Sequence, residues 1–89
     1  MSRLLFSVLD TFLIRGRGIV LAADVLPEQI QLKINEPIEL RRPYGSSIIA
    51  KVSGIEFASP PDPNRPLAIL LPRDISKEQV PVGTEVWSW

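Results

Sequence analysis

Histidine and cysteine, the side chains that most often move protons or attack electrophiles near neutral pH, are both absent from this chain. Their absence removes thiol catalysis, disulfides and the commonest nitrogen and sulfur metal ligands together. Carboxylates and arginines remain. Glu28, Glu36, Glu39, Glu56, Asp62, Asp74, Glu78 and Glu85 each sit in a turn or among polar neighbours, where acidic side chains are solvated surface charge. Asp62 and Asn64 form one close oxygen pair, but no further oxygen ligands follow at calcium-loop spacing. The reading is a non-enzyme with no catalytic residue, no metal and no cofactor.

The arginines fall in two short clusters. Arg15 and Arg17 flank Gly16, and Arg41 and Arg42 lie beside Tyr44, so a basic patch next to an aromatic ring is available to RNA. Ten basic and ten acidic residues nevertheless cancel to zero net charge, so no global field draws the chain to nucleic acid or anionic lipid. Arg41 and Arg42 take opposite faces of a strand, and only one of them can share a face with a given neighbour. Trp87 and Trp89 have equal parity and point the same way, which suits either closure of the core or a contact face on an exposed edge. A phosphate-cradling loop ending in Lys followed by Ser or Thr is missing, and Gly16 to Leu21 lacks the third glycine of a dinucleotide fingerprint. Nucleotide is therefore not an expected partner.

Apolar periodicity of two runs through most of the chain and never settles at 3.6, which predicts an all-β domain. A first strand covers Leu4 to Val8 and continues through Phe12 and Ile14 beyond a kink near Asp10; Gly16 and Gly18 then reverse the chain. A second covers Ile19 to Leu26 and stops at Pro27. Asn35 marks a turn, a third strand runs from Ile38 to Arg42, and Pro43 to Ser46 turn again. Ile48, Ala50 and Val52 share a face until Gly54, where the apolar parity slips to Ile55 and Phe57, the mark of a β-bulge. Pro60, Pro61, Pro63 and Pro66 stiffen a loop before a buried strand, Leu67 to Leu71. Asp74 to Val80 reads as one helical turn capped by Asp74 or Ser76, and Gly83 opens a last strand to Trp89. Phe12, Ile14, Val52 and Ile69 are the expected core. About six short strands with one helical turn predict a small closed barrel or a sandwich. At 89 residues the chain is one domain, 1–89, that removes roughly 60 to 70% of its unfolded surface from water without staples. The N-terminal apolar stretch, broken by Ser7 and Asp10, is too short to span a bilayer, so a cytoplasmic protein with no membrane partner is expected.

The spacing Asp10-x-Phe12-x-Ile14-x-Gly16-Arg17-Gly18-x-Val20, with Val25 and the later run Ile75-Ser76-Lys77-Glu78-Gln79-Val80-x-x-Gly83-x-x-Val86, resembles the second domain of elongation factor Tu and related translational GTPases. The likeness spans about Leu5 to Trp87. It implies a six-stranded antiparallel closed β-barrel, the translation-protein barrel; in departure from the family, a freestanding domain with no GTPase domain before it is expected. In that family the barrel helps hold the aminoacyl end of transfer RNA and packs on the GTPase domain, and the loop matching Arg17 is chiefly structural. The family's usual glycines are replaced at Ala23 and Asn35 and lost near Gln29, which leaves the loop shapes open. Two functions follow as expectations. One is a non-catalytic interaction module that binds a protein partner or itself. The other is an RNA-binding accessory domain of translation using Arg15, Arg17, Arg41 and Arg42; these four with Tyr44, Trp87 and Trp89 are the expected contacts to RNA or to a protein partner.

Overall fold

In the computed structural model, which describes residues 2–56, 62 and 64–89, the chain is all-β. Its strands are β1 (Leu4–Ile14), β2 (Gly18–Ala23), β3 (Pro37–Arg41), β4 (Ser47–Lys51), β5 (Gly54–Glu56), β6 (Ala68–Leu70) and β7 (Glu85–Ser88). They form one seven-stranded antiparallel sheet in the order β4-β3-β7-β1-β2-β6-β5. Two halves share β1: its start, Leu4 to Ser7, pairs with β7, while Val8 to Ile14 pairs with β2. Phe57, Pro60, Pro61 and Pro63, and with them most of the expected proline loop, lie outside the described residues.

The long first strand changes sides midway. Val8 pairs with Ala23 and Asp10 with Ala22, so Leu9 is an extra residue, a bulge that flips the parity of everything after it. Before it Phe6 and Val8 point inward; after it Thr11 does. Phe12 and Ile14, expected in the core, are therefore turned to the outer face, where they are 50% and 37% exposed. Val52 and Ile69 are buried as expected.

Chain reversal after β1 rests on two glycines with different duties. Gly16, at φ 79, occupies the left-handed third position of the Ile14–Arg17 turn, closed by the Arg17 N–H donating to the Ile14 carbonyl at 3.0 Å. Gly18, at φ 126, lies against the segment that follows β6, and a Cβ there would come within 2.5 Å of the Leu71 carbonyl oxygen. Asn35 takes a left-handed turn as the sequence suggests, at φ 72. Ala23, where the resembling family has glycine, stays at the end of β2, fully buried, so no left-handed turn is made there.

Seven strands form where six were expected, because the segment read as one bulged strand breaks at Val52 and Ser53. On one side of the break the Val52 N–H donates to Glu36 and its carbonyl accepts from Asn35; on the other, the Ser53 N–H donates to Leu70. A single stretch of chain thus bonds next to β3 and then next to β6, the strands that neighbour the two ends of the sheet order. Ile48, Ala50 and Val52 keep the inward face predicted for them, half-buried to buried.

Two 3-10 turns complete the fold. Lys77–Gln79 follows Ser76, whose N–H donates to the Gln79 side chain at 2.8 Å, so Ser76 rather than Asp74 is the capping position. Pro27–Gln29 was not foreseen; its signal was Pro27 at the first position, with the Gln29 side chain accepting from the Leu26 N–H at 2.7 Å. Buried side chains from both halves, among them Phe6, Val8, Leu21, Ile38, Leu40, Ile69, Leu71 and Val86, merge into one cluster, so the halves fold over a common core. Among the described residues, no helix is long and apolar enough to cross a membrane.

The glycines make a graded prediction. Gly16→Ala places a methyl in open space and incurs only the left-handed backbone cost, about 1 kcal/mol. Gly18→Ala adds a backbone clash to that cost and should lose about 3 kcal/mol. Denaturant midpoints of the two variants check the order.

Candidate interaction surface

On the outer face of β3 and β7 the register sets Arg41 opposite Glu85 and Glu39 opposite Trp87. Here the predicted residues do meet. The Arg41 Nε donates to Glu39 Oε1 at 3.0 Å, its guanidinium carbon lies 3.9 Å from the centroid of the Trp87 ring, and the Trp87 indole donates to Glu85 Oε1 at 3.0 Å. A cation stacked on an indole and held by a carboxylate is a self-contained arrangement. Arg41 is thereby committed within the chain. Trp87 is half-buried on the outside of the sheet while Val86 faces the core, so the tryptophans do not close the interior; Trp89 is 68% exposed.

Arg42 points the other way, as strand parity requires. Its guanidinium lies 5.3 Å from the centroid of the Tyr44 ring, and its Nε is shielded from solvent without a hydrogen-bond partner among the described residues. Tyr44 is 66% exposed at the tip of the turn, which the Gly45 N–H closes by donating to the Arg42 carbonyl.

The other arginine cluster divides similarly. Arg17 Nη2 lies 2.9 Å from Glu56 Oε1, a charge contact without aligned hydrogen-bond geometry. The row Phe12–Val20–Leu70–Gly54 lies between the two along the outer face, and Val20 and Leu70 are only 7% exposed there. This ties the β1–β2 turn to β5. With the arginine half exposed the charge itself contributes well under 1 kcal/mol. Arg15 is exposed at the hairpin tip and makes no ion pair among the described residues. The two arginine clusters are not joined: Arg41 stands in the row of Ser7, and Arg15 and Arg17 lie beyond the opposite end of β1.

What the sequence reading missed is the apolar surface of the β1–β2 hairpin itself. Leu9, Phe12, Leu13 and Ile14 are 55%, 50%, 69% and 37% exposed. The signal was present in the unbroken run Phe12-Leu13-Ile14, since three successive apolar residues in a strand put greasy side chains on both faces. By contrast, the open depression of about 340 Å³ lined by Pro37, Ile49, Ala50, Lys51, Pro72, Asp74 and Ile75 presents one lysine and one aspartate with no convergent polar groups. Among the described residues, no cluster of three metal-ligating side chains occurs; the Asp62 carboxylate instead accepts from the Asn64 N–H at 2.9 Å. No family model, curated protein or solved structure matches the chain.

The Arg41–Trp87 stack is open to spectroscopy. In a Trp89→Phe background, Arg41→Ala should shift tryptophan emission to the red and lower stability by about 1 kcal/mol. Emission that stays unchanged contradicts a covered Trp87.

Proposed function

We propose that this chain is a non-catalytic, cytoplasmic interaction module that docks on another protein surface through the β1–β2 hairpin. The observation that carries the proposal is the run Leu9, Phe12, Leu13 and Ile14, exposed together on one short hairpin. Grouped apolar exposure of this kind marks association sites, whereas scattered apolar residues are ordinary. The chemistry of the described surface supports the same reading, since its charged side chains are paired or dispersed rather than converged on a pocket.

The barrel of elongation factor Tu's second domain remains the architecture we propose. Two corners support it: the bulge at Leu9, and the Val52–Ser53 break that passes one chain segment from β3 to β6. Counted as a single bent strand, β4 and β5 would close six strands into a ring. An RNA-binding role has less support, because Arg17 and Arg41 already face carboxylates and phosphate contacts supply much of nucleic-acid affinity.

A photocrosslinking side chain placed at Leu13 tests the module reading in living cells. Protein adducts should form from Leu13 and not from exposed Lys33. Absence of protein adducts, or salt-sensitive crosslinks to transfer RNA alone, would overturn it.

A further inference from the structure

We infer that the partner of the hairpin is a second copy of this chain, joined edge to edge through β1 about a two-fold axis at Leu13. The inference rests on the interaction-module reading and specifies its occupant.

The free edge follows from the ladder. The Ala23 N–H donates to Leu67 and the Ile19 carbonyl accepts from Leu71, so alternate residues of β2 face β6. Alternation then turns Gly18, Val20 and Ala22 toward β1, where they meet Ile14, Phe12 and Asp10. Thr11 and Leu13 accordingly aim their backbone groups away from β2. On that side β7 pairs only as far as Ser7, extended by the Val8 bonds to Gly83 and Thr84. The Thr11 N–H is capped by its neighbour, Asp10 Oδ1, at 2.8 Å. The N–H and carbonyl of Leu13 have no partner among the described residues. No lysine or proline guards this stretch, although native edges are commonly guarded by both.

Self-complementarity points to a second copy rather than a different protein. The segment reads Asp10, Thr11, Phe12, Leu13, Ile14, Arg15: acidic at one end, basic at the other, apolar between. Antiparallel pairing of two such segments lays the acidic end of each against the basic end of its mate, as an isologous contact requires. A register centred on Leu13 exchanges both backbone hydrogen bonds between the two leucines and sets each Phe12 opposite the mate's Ile14 on the same face. That cross-strand aromatic and β-branched pairing is a favourable one. Arg15, which makes no ion pair among the described residues, then stands beside the mate's Thr11, one residue from Asp10. The contact is small, so the association is concentration-dependent.

Sedimentation of the purified full chain across low micromolar to millimolar concentration should show reversible monomer and dimer. Leu13→Asp, which sets two like charges opposite each other at a site 69% exposed in the monomer, should weaken dimerisation at least tenfold with an unchanged circular dichroism spectrum. Arg15→Glu should weaken it several-fold, and Asp10→Lys combined with Arg15→Glu should recover most of the loss. A dimer indifferent to Leu13→Asp overturns the edge-to-edge contact. A strict monomer whose Leu13 crosslinks to a different protein overturns the second copy and leaves the module reading standing; a strict monomer with no protein adducts overturns both.

Discussion

The structure depends on a strand that belongs to two half-sheets at once. β1 gives its first residues to β7 and the remainder to β2, and one unpaired residue, Leu9, makes the transfer. A bulge bends a strand and increases its local twist, so the halves on either side can turn their apolar faces toward each other. Phe6, Val8, Leu21, Leu40, Ile69 and Val86, from both halves, reach one buried cluster. The second bend, at Val52 and Ser53, does the same on the far side of the sheet with a break in place of a bulge.

The bend that builds the core also creates the surface. Reversing parity after Leu9 keeps Thr11 inside and sends Phe12 and Ile14 outward, and β1 then runs past the end of β7, which leaves the backbone of Leu13 without a partner among the described residues. Apolar side chains and an open edge thus occur on the same hairpin for one geometric reason. Elsewhere exposed large apolar residues occur at separate points of the chain, among them Ile34, Ile49 and Val82, while one part of the outer face is polar and internally satisfied. Glu39, Arg41, Trp87 and Glu85 form a closed set of contacts, and Arg17 turns back to Glu56. The hairpin stands out as the region that combines several exposed apolar side chains with a strand edge left open among the described residues.

Much of this architecture was legible in the order of residues. Alternation identified most of the strands, Gly16, Asn35 and the Pro43–Ser46 segment marked turns that the chain does make, and Ser76 was one of two caps proposed for the helical turn. Such features are local, decided by sterics and hydrogen bonds within a few residues. The inward face of Ile48, Ala50 and Val52 was equally readable, because parity holds as long as a strand is unbroken. The same rule failed for Phe12 and Ile14. A single inserted residue reverses every assignment downstream, and nothing in the identity of Leu9 announces that it is the extra one.

From composition alone came the absence of histidine and cysteine chemistry and the lack of net charge; from spacing came the β class, the turn positions and a likeness to a translation barrel. Tertiary structure decided which arginines are spent on carboxylates, which tryptophan is stacked, and which apolar residues are left outside. Those outcomes turn on cross-strand register between residues distant in the chain, as when Arg17 meets Glu56 or Arg41 meets Trp87. Side-chain period is a property of one strand, but register is a relation between two, and it takes physical form only when the sheet assembles.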